Sequence, residues 1–123
     1  MSLPRLTEIE EHKIDNHITR STGSGAVSIN VSTPETGKRW SLKEVRISLN
    51  AVGASGNLTI TINNGTNAVY DHVLESQDMS AVQYHRYAPA RNVPLMPTDT
   101  IDIVWANAGG KTYGIEVFAN PEY

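Results

Sequence analysis

The stretch IDIVWANAGGKTYGIEVFA, residues 101–119, decides the fold class. Ile101, Ile103 and Trp105 alternate with polar partners, as do Tyr113, Ile115 and Val117, and Asn107, Gly109 and Gly110 separate the two runs. Period-two alternation places one side-chain set on a buried face and the other in water, which is the signature of a half-buried strand. Two such runs around an Asn/Gly turn read as an antiparallel β-hairpin with one wet face.

Working outward, the same texture continues from residue 26 onward. Val27, Ile29 and Val31 alternate with Ser28, Asn30 and Ser32, and Pro34 closes that strand. Between Trp40 and Asn50 the apolar set changes parity: Trp40 and Leu42 lie on even positions, Val45, Ile47 and Leu49 on odd ones. A β-bulge near Lys43 and Glu44 would restore one continuous buried face. Leu58, Ile60 and Ile62 form a further strand, which Asn63-Asn64-Gly65-Thr66 turns into another near 68–74. Residues 76–79 read as a polar loop, and 82–87 as a strand carrying Tyr84 and Tyr87. Pro89, Pro94 and Pro97 exclude a central strand and leave an edge segment or crossover. The expected fold is all-β, a two-sheet antiparallel sandwich of jelly-roll-like topology, with an immunoglobulin-like order open as the alternative. Trp40 and Trp105 are in phase with their aliphatic neighbours and belong to its core.

Residues 1–24 differ from this pattern. They hold a cluster of acids, and Ser21-Thr22-Gly23-Ser24-Gly25 has a flexible linker composition. Thr7-Glu8-Ile9-Glu10 fits a capping box for a short helix from Glu8 to about Ile18. Ile9, Ile14 and Ile18, however, do not gather into one stripe at 100° per residue. The reading is therefore an N-terminal arm and linker over 1–24, its apolar side chains resting on some other surface, followed by a sandwich domain over 25–123.

The 123 residues suit one domain, and 39% hydrophobic with 19% charged residues is an ordinary globular balance. A net charge of -3 with scattered Lys and Arg gives no footprint for a phosphate backbone, so direct nucleic-acid binding is not expected. There is no cysteine, hence neither a disulfide framework nor a thiolate metal site. The acids at 8–15 stand where a signal peptide would need an apolar run, and nothing approaches a membrane span, so a soluble protein without a cleavable signal is expected. The sequons at Asn30, Asn57 and Asn64 carry little weight without a secretion signal.

Chemistry-bearing constellations are sparse. His12 and His17 sit five apart, which on a helix places them on different faces, and neither HExxH nor HxH spacing occurs. His72 and His85 are read as exposed strand positions. No Ser lies in a GxSxG elbow. Asp99 is expected to end a turn and Asp102 to occupy a wet strand face, rather than to form a calcium or glycosidase pair. The residues give no catalytic group, metal ligand or cofactor site, and no enzyme activity is expected. Tyr70, Tyr84 and Tyr87 are not needed by the core, and with Arg86 and Arg91 they could line a sugar groove or a protein interface, where Tyr and Arg are enriched.

Residues 39–119, about two thirds of the chain, resemble a group of small β-sandwich virion proteins of tailed bacteriophages. The features that carry the resemblance are RWSLKEVRISLNA, the NLTITINNG turn, YDHVLESQDMSA, PLMPTDTIDIVWANA and the terminal KTYGIEVFA, in that order. The resemblance implies a capsid decoration or cement protein: made in the host cytoplasm, located on the capsid surface of the virion, bound to the major capsid protein, and homotrimeric. The alternative is a carbohydrate-binding module, or a phage tail or head-fibre adhesion component. The interface residues expected on this reading are Leu3, Leu6, Ile9, Ile14 and Ile18 of the arm, with Tyr70, Tyr84, Arg86, Tyr87 and Arg91 of the sandwich.

Overall fold

The computed structural model describes residues 17–122. Nine strands follow one another: β1 (His17–Ser24), β2 (Val27–Val31), β3 (Trp40–Leu49), β4 (Asn57–Asn63), β5 (His72–Asp78), β6 (Tyr84–Tyr87), β7 (Val93–Leu95), β8 (Thr100–Trp105) and β9 (Thr112–Pro121). A single 3-10 turn, Ala68–Tyr70, interrupts the β4–β5 connection.

Two antiparallel sheets result. The first has the order β1-β9-β3-β6 with β7 also on β3, and the second has the order β2-β8-β4-β5. Apart from the β4–β5 hairpin and the step from β6 to β7 along one side of β3, each connection carries the chain from one sheet to the other. These interleaved orders are those of a jelly roll, not the ABED and CFG sheets of an immunoglobulin domain. Between the sheets, Trp40, Leu42, Val45, Ile47, Leu58, Ile60, Ile101, Ile103, Trp105, Ile115 and Val117 are buried in one core. Ile62 is partly buried against that core.

The parity change in β3 is a real irregularity. Register with β9 shifts between Leu42 and Glu44, so Lys43 is the extra residue and Leu42 and Val45 both turn inward. Pro94 is tolerated because β7 is a three-residue strand paired on one side only.

Three expectations are corrected. Residues 101–119 do not make a hairpin: β8 pairs with β2 and β4, while β9 pairs with β1 and β3. Both apolar faces point at the same core from opposite sheets, which alternation alone cannot distinguish from pairing. The link between them is an arch built on Asn107, which is buried at positive φ (48°). Its amide donates to the carbonyls of Gly25 and Lys111, and its Oδ1 accepts from the Lys111 N–H. Second, His17–Ser24 is a strand and not a linker, in unbroken register with Thr112–Ala119 of β9. Polar residues suffice there because β1 is an edge strand whose side chains are exposed or only half-buried. The arm therefore cannot extend to residue 24, and Ile18 lies on a strand; the remainder of the proposed helix, with Leu3, Leu6, Ile9 and Ile14, lies outside the described residues. Third, β5 runs through Asp78, so most of the expected loop at 76–79 is strand, and Ala68–Tyr70 is a 3-10 turn.

Candidate functional site

Two surfaces stand out, and each is set up by local sequence. The first is the outer face of the first sheet. Strand register lines up Arg20, Glu116, Arg46 and Arg86 across β1, β9, β3 and β6, and beside them Thr22, Gly114, Ser48 and Tyr84. The bulge at Lys43 turns Glu44 onto this face, where it is nearly inaccessible. Its Oε2 accepts from Arg86 Nε at 2.6 Å and from Arg46 Nε at 2.9 Å. These bonds, the one from Arg86 foremost, hold the Glu44 carboxyl below the ordinary carboxylate range despite its burial. The Arg46 guanidinium also lies 4.6 Å from the Phe118 ring centroid, a cation–π distance. At the β1 end, Arg20 Nε donates to Glu116 Oε2 at 2.9 Å, an exposed pair that fixes orientation more than stability. Gly114 leaves a dent of about 350 Å³ between Thr22 and Ser48, closed at one side by the Arg20–Glu116 pair. Tyr84, 56% exposed, ends the same row.

The second surface is the β4–β5 connection with the start of β5, where Val69, Tyr70 and, on the strand, Val73 are 75%, 66% and 55% exposed. Such exposure on a floppy loop would be unremarkable, but this loop is pinned. Asn64 Oδ1 accepts from the N–H groups of Thr66 and Asn67, Asn67 Oδ1 caps the 3-10 turn at Val69, and Asp71 Oδ1 accepts from the Asn64 N–H. Asn64 further donates to Asp99 in the neighbouring turn that carries the half-exposed Met96.

The expected interface residues divide accordingly. Ile18, Tyr84 and Arg86 share the outer face of the first sheet, and Tyr70 is on the β4–β5 loop. Arg91 is exposed in the β6–β7 connection. Tyr87 is placed differently: it is opposite the buried Val45 and packs against the core edge, where burial, then the charge of Glu75, raises its phenol pKa. His85 is half-buried rather than exposed, and its Nε2 lies 3.4 Å from Glu75 Oε2, joining the edge strands of the two sheets. His72 is exposed and belongs to the surface. Asp99 and Asp102 have structural partners: Asp99 Oδ2 accepts from the Met96 N–H, and Asp102 accepts from Asn30 and Asn63. Among the described residues, no group of three or more His, Cys, Asp or Glu side chains could hold a metal ion.

Arg20, Glu44, Arg46, Gly114 and Glu116 were not singled out from sequence. For those on β3 and β9 the signal is the polar half of each alternation, whereas Arg20 lies on β1, whose sequence does not alternate.

No protein-family model and no curated protein matches the chain. Among solved structures it is similar to the Yersinia pseudotuberculosis-derived mitogen, at 12% sequence identity and a TM-score of 0.42, over 85% of this chain and 86% of that one.

Proposed function

We propose that this protein is a structural virion component that attaches to the outer surface of a tailed-phage capsid and reinforces it by binding, without catalysis. The resemblance of residues 39–119 supplies the class of assembly. The observation that carries the attachment mode is the pinned loop that presents Val69 and Tyr70 to solvent beside Val73. A pre-ordered loop loses little conformational entropy on docking, and the exposed Tyr70 that it presents is of a residue type enriched in binding hot spots. The partner on this reading is the major capsid protein, with Leu3, Leu6, Ile9 and Ile14 adding apolar contacts and three copies forming the attached unit.

The test uses particles of the phage that encodes the chain, purified by density gradient and probed by quantitative mass spectrometry. The expected result is a fixed copy number per particle, lowered at least tenfold by Tyr70→Ala, and a trimer in sedimentation. Particles that never contain the protein would remove the proposal.

A further inference from the structure

The dent at Gly114 has no explanation in the fold. Glycine inside a strand weakens it relative to alanine and marks a bulge, a bend, or the close approach of a ligand or another backbone. The register of β9 with β1 is unbroken through Gly114, so there is no bulge against that neighbour, and its φ is not positive. A Cβ built there meets nothing within 4 Å. The other strand glycine behaves differently: at Gly23 an added Cβ would stand 2.8 Å from Tyr113 Oη, so packing requires that glycine. At Gly114 neither packing nor backbone conformation asks for the missing side chain, and what its absence provides is room.

The lining says what the room suits. The floor is backbone already paired to β1 and β3, so it offers no free ladder groups to an extended peptide. The walls are the hydroxyls of Thr22 and Ser48 and the carboxylate–guanidinium pair of Glu116 and Arg20. Thr22 Oγ1 donates its proton to the Tyr113 carbonyl, so toward the dent it can only accept. The row's three arginines, Arg20, Arg46 and Arg86, are offset by Glu116 and Glu44, which leaves little net charge to attract a phosphate or a nucleic acid. The exposed ring of Tyr84 stands at the end of the same row, opposite Ser48. Hydroxyls over a strand-backbone floor in a shallow cup, a planar carboxylate and guanidinium for vicinal hydroxyls, and an aromatic ring one strand beyond the cup match a pyranose ring. The volume of about 350 Å³ lies at the low end of ligand sites, enough for one or two sugar units.

We infer that the outer face of the first sheet binds a neutral saccharide over Gly114, with Glu116 and Arg20 engaging its hydroxyls and Tyr84 bordering the site. The surface is distinct from the Val69–Tyr70 loop, so this binding and shell attachment succeed or fail separately.

The test is amide chemical-shift mapping of the full chain with glucose, galactose, mannose, N-acetylglucosamine and their common disaccharides, each to roughly 50 mM, well above the millimolar affinity such a shallow site supports. Inorganic phosphate serves as the anionic control. At least one sugar should shift the amides of Thr22, Ser48, Gly114 and Glu116 saturably, and Gly114→Val should weaken that binding at least tenfold without lowering Tm, because its side chain occupies only the dent. Gly114→Ala, which fills less of it, should weaken binding by a smaller factor. The inference is overturned if no sugar moves these amides, if the shifts map elsewhere, if phosphate moves them more strongly than any sugar, or if a folded Gly114→Val or Gly114→Ala chain binds as before.

Discussion

Arg86 on β6 reaches across to β3 and donates to Glu44 at 2.6 Å, so the outermost strand of the first sheet is fastened to the bulge of its neighbour. The bond exists because Lys43 is an extra residue. Were Lys43 paired in regular register instead of bulged, alternation from Leu42 would turn Glu44 inward and Val45 outward.

Glu44→Gln should therefore destabilise the protein by about 1–3 kcal/mol at neutral pH, since two charge-assisted bonds to a nearly buried acceptor are weakened. The pH dependence follows from the lowered carboxyl pKa. The unfolded chain takes up the proton first as pH falls, so the contribution is fully present above an ordinary Glu pKa of about 4.3 and is lost as pH falls through the lower folded value. Urea denaturation at several pH values should show the wild type losing part of its advantage over Glu44→Gln below about pH 4. A gap independent of pH would contradict the pairing.

Truncation separates the arm from the strand. A chain starting at residue 17 retains every strand of the two sheets and should keep the cooperative melting of the full chain. One starting at residue 25 loses β1, which leaves one whole side of β9 unpaired. Its Tm should fall steeply or its transition should broaden. Equal melting of the two would mean that β1 contributes nothing to the sandwich.

The arch at Asn107 should show two separable effects. Asn107→Gly keeps access to positive φ but removes the side-chain bonds to Gly25 and Lys111, for an expected cost of about 1–3 kcal/mol. Asn107→Ala loses the same bonds and also strains the backbone, adding about 1 kcal/mol. Alanine melting above glycine would show that the left-handed conformation is not what the position selects.

In the core, Ile103→Ala and Ile115→Ala should each cost about 2–5 kcal/mol by equilibrium denaturation, since both side chains are almost wholly buried between the sheets. A cost below about 1 kcal/mol at either would indicate that the cavity collapses or that the sheets are not packed there.

How far the sequence discloses this arrangement depends on the residue. The inward faces of β3, β4, β8 and β9 are legible because alternation records which side of a strand meets water, and even the bulge at Lys43 shows as a change of parity. Alternation does not record partners, which is why β8 and β9 look like a hairpin although Asn107 carries the chain between sheets. β1 is invisible for a different reason: His17–Ser24 buries no apolar side chain and is held by backbone pairing to β9. At the surfaces, Tyr70, Tyr84 and Arg86 could be picked out as residues the core does not need. Gly114 and Glu44 could not, since their meaning lies in the neighbours across β1, β3 and β6.

The position of β9 has a consequence for how the protein comes into being. β9 lies in the interior of its sheet, between β1 and β3, both of which precede it far back in the sequence. While the chain emerges from the ribosome, β1 and β3 have no partner between them, and the first sheet cannot close until Thr112–Pro121 has been synthesised and released. Formation of the first sheet is then slow because its pairings span most of the described residues, and it is open to aggregation through the waiting edges of β1 and β3 until β9 is in place.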